Sequence, residues 1–331
     1  MRNQSLAAAP AALLMLAALM AASGSAQARG TGSIFVSNEK TNNLVVLDSQ
    51  SFKVVDTISI CRRPRDMHFD AAHDKLYIAC GNEDVIAVLD VATRRVIGKL
   101  PTGPSPETFA LDDKRGRIYV SEEDGPSIGF LDLAQGKIVK ELPTAPEPEG
   151  VLLSADGKAL YATSEVGNLV HVIDPDKAAI ARSIVVDTRP RRLLMTPDAR
   201  ELWVSAELAG EVDVIDQTAG TVKSRIDFLP PGMRKSDVTP VGMAMSPDGK
   251  TAYVSLGHAA HVAVVDVPTH KVEGYILVGK RPWGIALSRD GRRLFVANGF
   301  GDDVTIIDSQ SRQPIVSVPV GQVPWGVAID D

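Results

Sequence analysis

Two residues separated by one, Asp66 and His68, carry the first chemistry that the sequence offers. Alternate residues of a strand share a face, so the carboxylate can orient the imidazole. Such a pair can hold a ligand or handle a proton. The same two residues can equally be a polar pair satisfied between packed strands, since buried polar groups are usually paired for structural reasons. A second signal is a series. The residues after Pro64, Pro106, Pro148, Pro190, Pro240, Pro282 and Pro324 are Arg65, Glu107, Glu149, Arg191, Val241, Trp283 and Trp325. The next positions are Asp66, Thr108, Gly150, Arg192, Gly242, Gly284 and Gly326. Glycine in most copies states what the fold wants, so Asp66 and Arg192 need a reason of their own. Arg65, Arg191 and Arg192 can make bidentate, charge-assisted bonds to carboxylates, and Trp283 and Trp325 can present aromatic faces. The carboxylates Glu107 and Glu149 complete a polarised rim. A flat polyanion would meet both the aromatic and the cationic groups; a protein-docking rim uses the same anchors.

Other chemistry-bearing residues fall on the same rim. His258 and His261 lie in segment 257–261, but zinc needs more ligands than these two, and exposed turn histidines need no function. Glu122, Glu123 and Asp124 suit either a cation or solvent. No metal site and no catalytic set follow from these residues, and of six histidines, His73 and His270 are expected in turns of the opposite face. Cys61 occupies the place of Gly103, Gly279 and Gly321, and Cys80 ends a strand of the following repeat. A disulfide between them is allowed and left open.

The elements that must position these residues come from a repeat. Strand-ending aspartates recur at Asp48, Asp90, Asp132, Asp174, Asp216, Asp266 and Asp308, spaced 42, 42, 42, 42, 50 and 42 residues apart. An aromatic keeps step at Phe35, Tyr77, Tyr119, Tyr161, Trp203, Tyr253 and Phe295, as do the seven prolines. A period near forty with runs of Val, Ile and aromatic residues between Gly, Asn, Asp and Ser turns is the signature of propeller blades. In one period, strands are expected over 284–288, 294–298, 304–308 and 314–320. The first period lacks its inner strand, and residues 325–330 form an inner strand with nothing after it. Pairing the two ends removes both open edges. The expected fold is therefore all-β, a seven-bladed β-propeller of four-stranded antiparallel blades. The aspartates are read as turn-capping structure and the aromatics as filling. The 50-residue spacing places an insertion at 229–236, expected as a lip over the channel.

Residues 1–28 read differently: Arg2, a short apolar run, then small residues ending at Ala28. This is the pattern of a secretory signal peptide, with cleavage expected after Ala28, leaving a propeller domain over 29–331 and a periplasmic protein that does not span the membrane. Removing that leader moves the formal charge from −6 to −7, which argues against a nucleic-acid partner. No Cys-x-x-Cys-His occurs, which excludes covalent c-type haem.

The second strands Tyr-Val-Ser, Phe-Val-Ala and Phe-Val-Ser, the turn Ser246-Pro247-Asp248-Gly249-Lys250 and the segment Arg281-Pro282-Trp283-Gly284 resemble the YVTN-type β-propeller repeats of bacteria. More narrowly, the chain looks like the β-propeller proteins associated with pyrroloquinoline quinone (PQQ)-dependent catabolism. That resemblance implies an accessory role in periplasmic alcohol oxidation, with a quinoprotein dehydrogenase, a cytochrome c or a transporter component as partner. It brings no catalytic residues. PQQ is then the flat polyanion expected between Trp283, Trp325 and the arginines, and a monomer is expected. Intrinsic PQQ catalysis is not implied, because quinoprotein dehydrogenases have eight tryptophan-docked blades and this chain has three tryptophans. Fold does not fix function. The alternatives are a propeller hydrolase or lyase, such as a lactonase with a metal at the channel mouth, and a haem-binding electron-transfer propeller.

Overall fold

Short β-branched and aromatic runs cut by tight turns have too little helical period to form anything but strands. The computed structural model describes residue 1 and residues 30–331, and among these there is no α-helix and none long and apolar enough to cross a membrane. The leader expected over 1–28, with its cleavage site after Ala28, lies outside the described residues beyond Met1. Twenty-eight strands form seven four-stranded antiparallel sheets, a seven-bladed β-propeller.

Blade 1 is composite. Its inner strand, Pro324–Asp330, pairs with Ser33–Asn38, which is followed by Asn43–Asp48 and Val54–Ser59. Side chains reinforce the seam: Thr31 donates from its backbone N–H and its Oγ1 to Asp330 Oδ2 at 2.8 and 2.6 Å. Blades 2 to 7 follow in chain order, with inner strands Pro64–Phe69, Pro106–Asp112, Pro148–Leu153, Pro190–Met195, Pro240–Met245 and Pro282–Leu287. These strands begin at the proline itself, two residues before the expected start in blade 7. The cause is a bulge. Pro282 pairs with Asn298 and pairing resumes only at Ile285 with Val296, leaving one extra residue on the inner strand. In five blades the first residue after the proline thereby lines the mouth, and in all seven the second lines the channel, as with Arg65 and Asp66 or Arg191 and Arg192.

Packing lies between blades. Seven apolar clusters are made from the facing sides of neighbouring sheets, and Phe35, Tyr77, Tyr119, Tyr161, Trp203, Tyr253 and Phe295 are all buried in them. The strand-ending aspartates cap their turns; Asp308 Oδ1, for example, accepts from the N–H of Ser311 at 2.9 Å. Inner strands approach so closely that a Cβ on Gly150, Gly242 or Gly284 would overlap the carbonyl oxygen of Arg191, Trp283 or Trp325 in the next blade. Second-strand hydroxyls stitch the same seams, with Ser37, Thr163 and Ser255 donating to the carbonyls of Arg65, Arg191 and Trp283 at 2.7, 2.9 and 2.7 Å. Cys61 and Cys80 are joined in a disulfide that ties blade 1 to blade 2, with Cα atoms 5.9 Å apart.

Candidate functional site

The loops entering the inner strands and the turns after the second strands meet at one face, around a mouth cavity of about 240 Å³. Its wall is an arc of ion pairs. Arg65 contacts Glu107, Glu39 and Glu123, the last two at 2.8 Å. Arg191 contacts Glu149, Glu165 and Glu207, the last at 2.8 Å. Arg189 lies 2.7 Å from Glu165, and Arg281 lies 3.7 Å from Glu207. Burial opposes the charge of Arg65 and Arg191, but these carboxylates outweigh it and raise both pKa values. Among the carboxylates, burial first and the neighbouring Glu149 second push Glu107 well up. Burial also opposes ionisation of Glu149, yet Arg191 and its neighbours hold it down to about 2. Burial and the contact with Glu149 push the pKa of Glu165 up, as expected where two carboxylates crowd one site.

That arrangement engages much of the rim expected to meet a ligand or partner with the protein's own groups. Arg65 and Arg191 are nearly buried and spend their donors on the protein's own glutamates rather than on a polyanion. The rings of Trp283 and Trp325 are not free faces either. Arg191 and Arg281 stack on Trp283 at 4.9 and 4.7 Å, and Arg192 stacks on Trp325 at 4.4 Å. His258 hydrogen-bonds through Nε2 to Arg281 and stands outside the cavity wall. The acidic turn is divided: Glu122 accepts from Ser127, while Glu123 turns to Arg65. Among the described residues, no group of three or more His, Cys, Asp and Glu side chains could hold a metal ion. The insertion packs locally. Its Met233 packs on the core between blades 5 and 6, Lys235 Nζ donates to the Gly210 carbonyl at 3.0 Å, and neither cavity is lined by it.

What remains chemically open lies deeper. Blades 5 and 1 face each other across the ring, and the stack of Arg192 on Trp325 spans the channel between them. Trp325 lines both the mouth and a channel cavity of about 350 Å³, whereas Arg192 lines only the channel. The terminal nitrogens of Arg192, Nη1 and Nη2, are buried without a hydrogen-bond partner; Nη2 stands 3.6 Å from Glu149 Oε1 and 3.9 Å from Glu107 Oε1. Glu149 Oε1 is itself without a hydrogen-bond partner, so Nη2 faces it just beyond hydrogen-bonding distance, while Nη1 is left with no acceptor.

The Asp66–His68 pair faces the same cavity, with His68 Nε2 2.9 Å from Asp66 Oδ2. Asp66 Oδ2 also accepts from the Phe109 N–H at 3.2 Å, and the His68 ring meets Phe109 edge-on at 4.8 Å. Protein surrounds both residues, yet 46% of the His68 side chain is open to the channel. Burial opposes ionisation of Asp66, but His68, Arg192 and the Phe109 N–H outweigh it and lower its pKa. Burial lowers the pKa of His68 as well, and Asp66 outweighs it, leaving a net rise that Arg192 opposes. With Nε2 held by Asp66, Nδ1 is the nitrogen left to take a proton from water.

Sequence reasoning brought Asp66, His68 and Arg192 forward but missed Glu39, Glu123, Glu165 and Glu207 as the counter-charges. Their signal was present: all four follow second strands in the repeat register, where the other blades carry Gly81, Gly257 and Gly299.

A family model described as a seven-bladed β-propeller lactonase matches residues 185–315, the segment that carries Arg189, Arg191, Arg192, Glu207, Arg281 and Trp283. No curated protein matches the chain. Among solved structures, a putative 6-phosphogluconolactonase from Bacteroides fragilis aligns with a TM-score of 0.79 at 17% identity, covering 90% of this chain and 98% of that one. A periplasmic gluconolactonase from Pseudomonas aeruginosa gives 0.77 at 19% identity, with 90% and 99% covered. Hydrazine synthase from Kuenenia stuttgartiensis gives 0.76 at 22% identity, with 84% and 92% covered. At these identities the likenesses establish the fold alone.

Proposed function

We propose that the protein hydrolyses a cyclic ester, a lactone, in its central channel. The observation that carries this reading is the Arg192 guanidinium, whose buried terminal nitrogens lack hydrogen-bond partners beside a half-open histidine held by a carboxylate. The partial match to the lactonase family supports it, and the matched segment supplies Arg192. The leader pattern in the sequence and the Cys61–Cys80 bridge support placing the protein in the periplasm.

In this reading the lactone carbonyl oxygen takes the place of the missing hydrogen-bond partners of Arg192. Neutral His68 removes a proton from water through Nδ1 as the water oxygen attacks the carbonyl carbon. Negative charge then collects on the carbonyl oxygen, where Arg192 stabilises it. Collapse of the tetrahedral species breaks the ring C–O bond, and the imidazolium returns its proton to the departing ring oxygen. Lactone and water become one hydroxy acid, which ionises in solution. Asp66 keeps the imidazole oriented and stabilises its charged form throughout.

The test is hydrolysis of δ-valerolactone followed by pH-stat with purified protein. His68→Ala is expected to lower kcat/KM by roughly 10²–10⁴-fold and Arg192→Gln by roughly 10²–10³-fold, the usual worth of a general base and an oxyanion donor. Circular dichroism checks that both variants are folded. Folded variants that keep the wild-type rate would reject the assignment.

A further inference from the structure

We infer that the natural substrate is a lactone ring bearing an aliphatic chain, which runs along the channel away from Arg192. This rests on the hydrolase reading above and specifies its substrate. The channel wall carries its polar side chains, Asp66, His68, Thr108 and Arg192, together with an apolar surface. That surface comes from Val151, Leu193, Met243, Ile285 and Val327, one from each of five blades, with Met67 beside His68. Each of the five is half-buried, because one side of it packs into an interblade core while the cavity meets the rest.

Of the polar groups present, Arg192 and His68 are taken up by the ester itself in this reading, and the others are already committed. Thr108 Oγ1 donates to the Glu149 carbonyl and accepts from the Val151 N–H at 3.1 Å, while Asp66 bonds His68 and Phe109. A polyhydroxylated ring would bring more hydroxyls into the channel than the side chains of this wall have free groups to partner, which disfavours it. An alkyl chain makes no such demand and gains from leaving water. Gly150, Gly242, Gly284 and Gly326 add no side-chain bulk to the cavity wall, leaving width for the ring beside Arg192.

The experiment is a chain-length series. Wild-type kcat/KM is measured for δ-valerolactone, δ-hexalactone, δ-octalactone, δ-decalactone and glucono-δ-lactone, each below its solubility limit. The expected result is a rise of up to about fourfold per added methylene, equivalent to about 0.8 kcal/mol each, with glucono-δ-lactone the poorest substrate. Leu193→Gln and Met243→Gln are expected to flatten the series. A flat wild-type series, or preference for glucono-δ-lactone, overturns the aliphatic assignment while leaving the hydrolase reading in place. The second readout is the thermal shift of His68→Ala with the same lactones. Shifts that grow with chain length, without wild-type turnover of any lactone, would keep the aliphatic seat and remove the hydrolase. Neither turnover nor chain-dependent shift overturns both.

Discussion

At the scale of single residues, His68 is set between charges of opposite sign, and this fixes how the reaction must depend on pH. Asp66 favours the imidazolium, while burial and Arg192 oppose it; the balance raises the pKa above the ordinary 6.5. Only the neutral ring can accept a proton, so kcat/KM should climb along a limb whose midpoint lies above that value. Asp66→Asn removes the one stabilising charge and leaves the two opposing influences, so its limb should move to lower pH with a reduced plateau. Arg192→Gln removes an opposing charge, so its residual activity should show a limb at higher pH. Opposite displacements in pH–rate profiles are the expected outcome, and a limb unmoved in both variants would take His68 out of the base role. Stability follows the same sign: the contribution from the Asp66–His68 pair is complete between the unfolded pKa values of the aspartate and the histidine, fades as pH rises through the raised folded pKa of His68, and is lost as pH falls through the lowered folded pKa of Asp66.

At the scale of elements, the inner strand and its bulge decide what reaches the mouth and what reaches the channel. The sequence made the strands legible because each of its markers answers a local demand: a proline to start the inner strand, an aspartate to cap a turn, a ring to fill a core. It also singled out Asp66, His68 and Arg192, since charge replacing glycine or alanine in a repeat is visible without coordinates. What it could not show is partnership across the ring. Arg192 meets Trp325 only because blades 5 and 1 face each other, and Arg191 is neutralised by glutamates whose turns interleave with its own loop. Residue types alone therefore suggested free arginines and free aromatic faces, and the fold pairs them with each other. The insertion is tied down in a way its residue types do not show, as Met233 packs on the core between blades 5 and 6. The Cys61–Cys80 bridge is an inter-element device of the same kind, with a sequence separation of 19. Closing a loop of about this length is worth about 3 kcal/mol, chiefly by restricting the unfolded chain. Denaturant unfolding of the Cys61→Ala, Cys80→Ala double variant should fall short of wild type by about that amount, within the spread of 0–5 kcal/mol seen for disulfides. Oxidised wild type should show no free thiol until reduced and two afterwards; two thiols labelled without reduction would disprove the bridge.

At the scale of the whole molecule, closure of the ring and assembly of the site are one event. The strand Pro324–Asp330 supplies the inner edge of blade 1, and the same strand carries Trp325, on which Arg192 is stacked across the channel. Every blade buries its faces against two neighbours, so an open ring exposes two interblade cores and one strand edge. Deleting residues 321–331 should therefore do more than remove a terminal strand: the melting temperature should fall steeply or the protein should become insoluble, and Arg192 should lose its support. The closure does not depend on where the chain starts. Gly32 N–H donates to the Asp330 carbonyl at 2.9 Å, so the two ends lie side by side. A circular permutant that joins residues 331 and 30 through a short Gly/Ser linker and opens at the exposed turn Gln310–Ser311 keeps Pro324–Asp330 paired with Ser33–Asn38. Its expected behaviour is a melting temperature within a few degrees of wild type and retained lactone turnover, measured beside the deletion variant. A deletion variant that melts like wild type, or a permutant that fails to fold while the deletion variant does, would show that the pairing of the two ends is not what locks the ring.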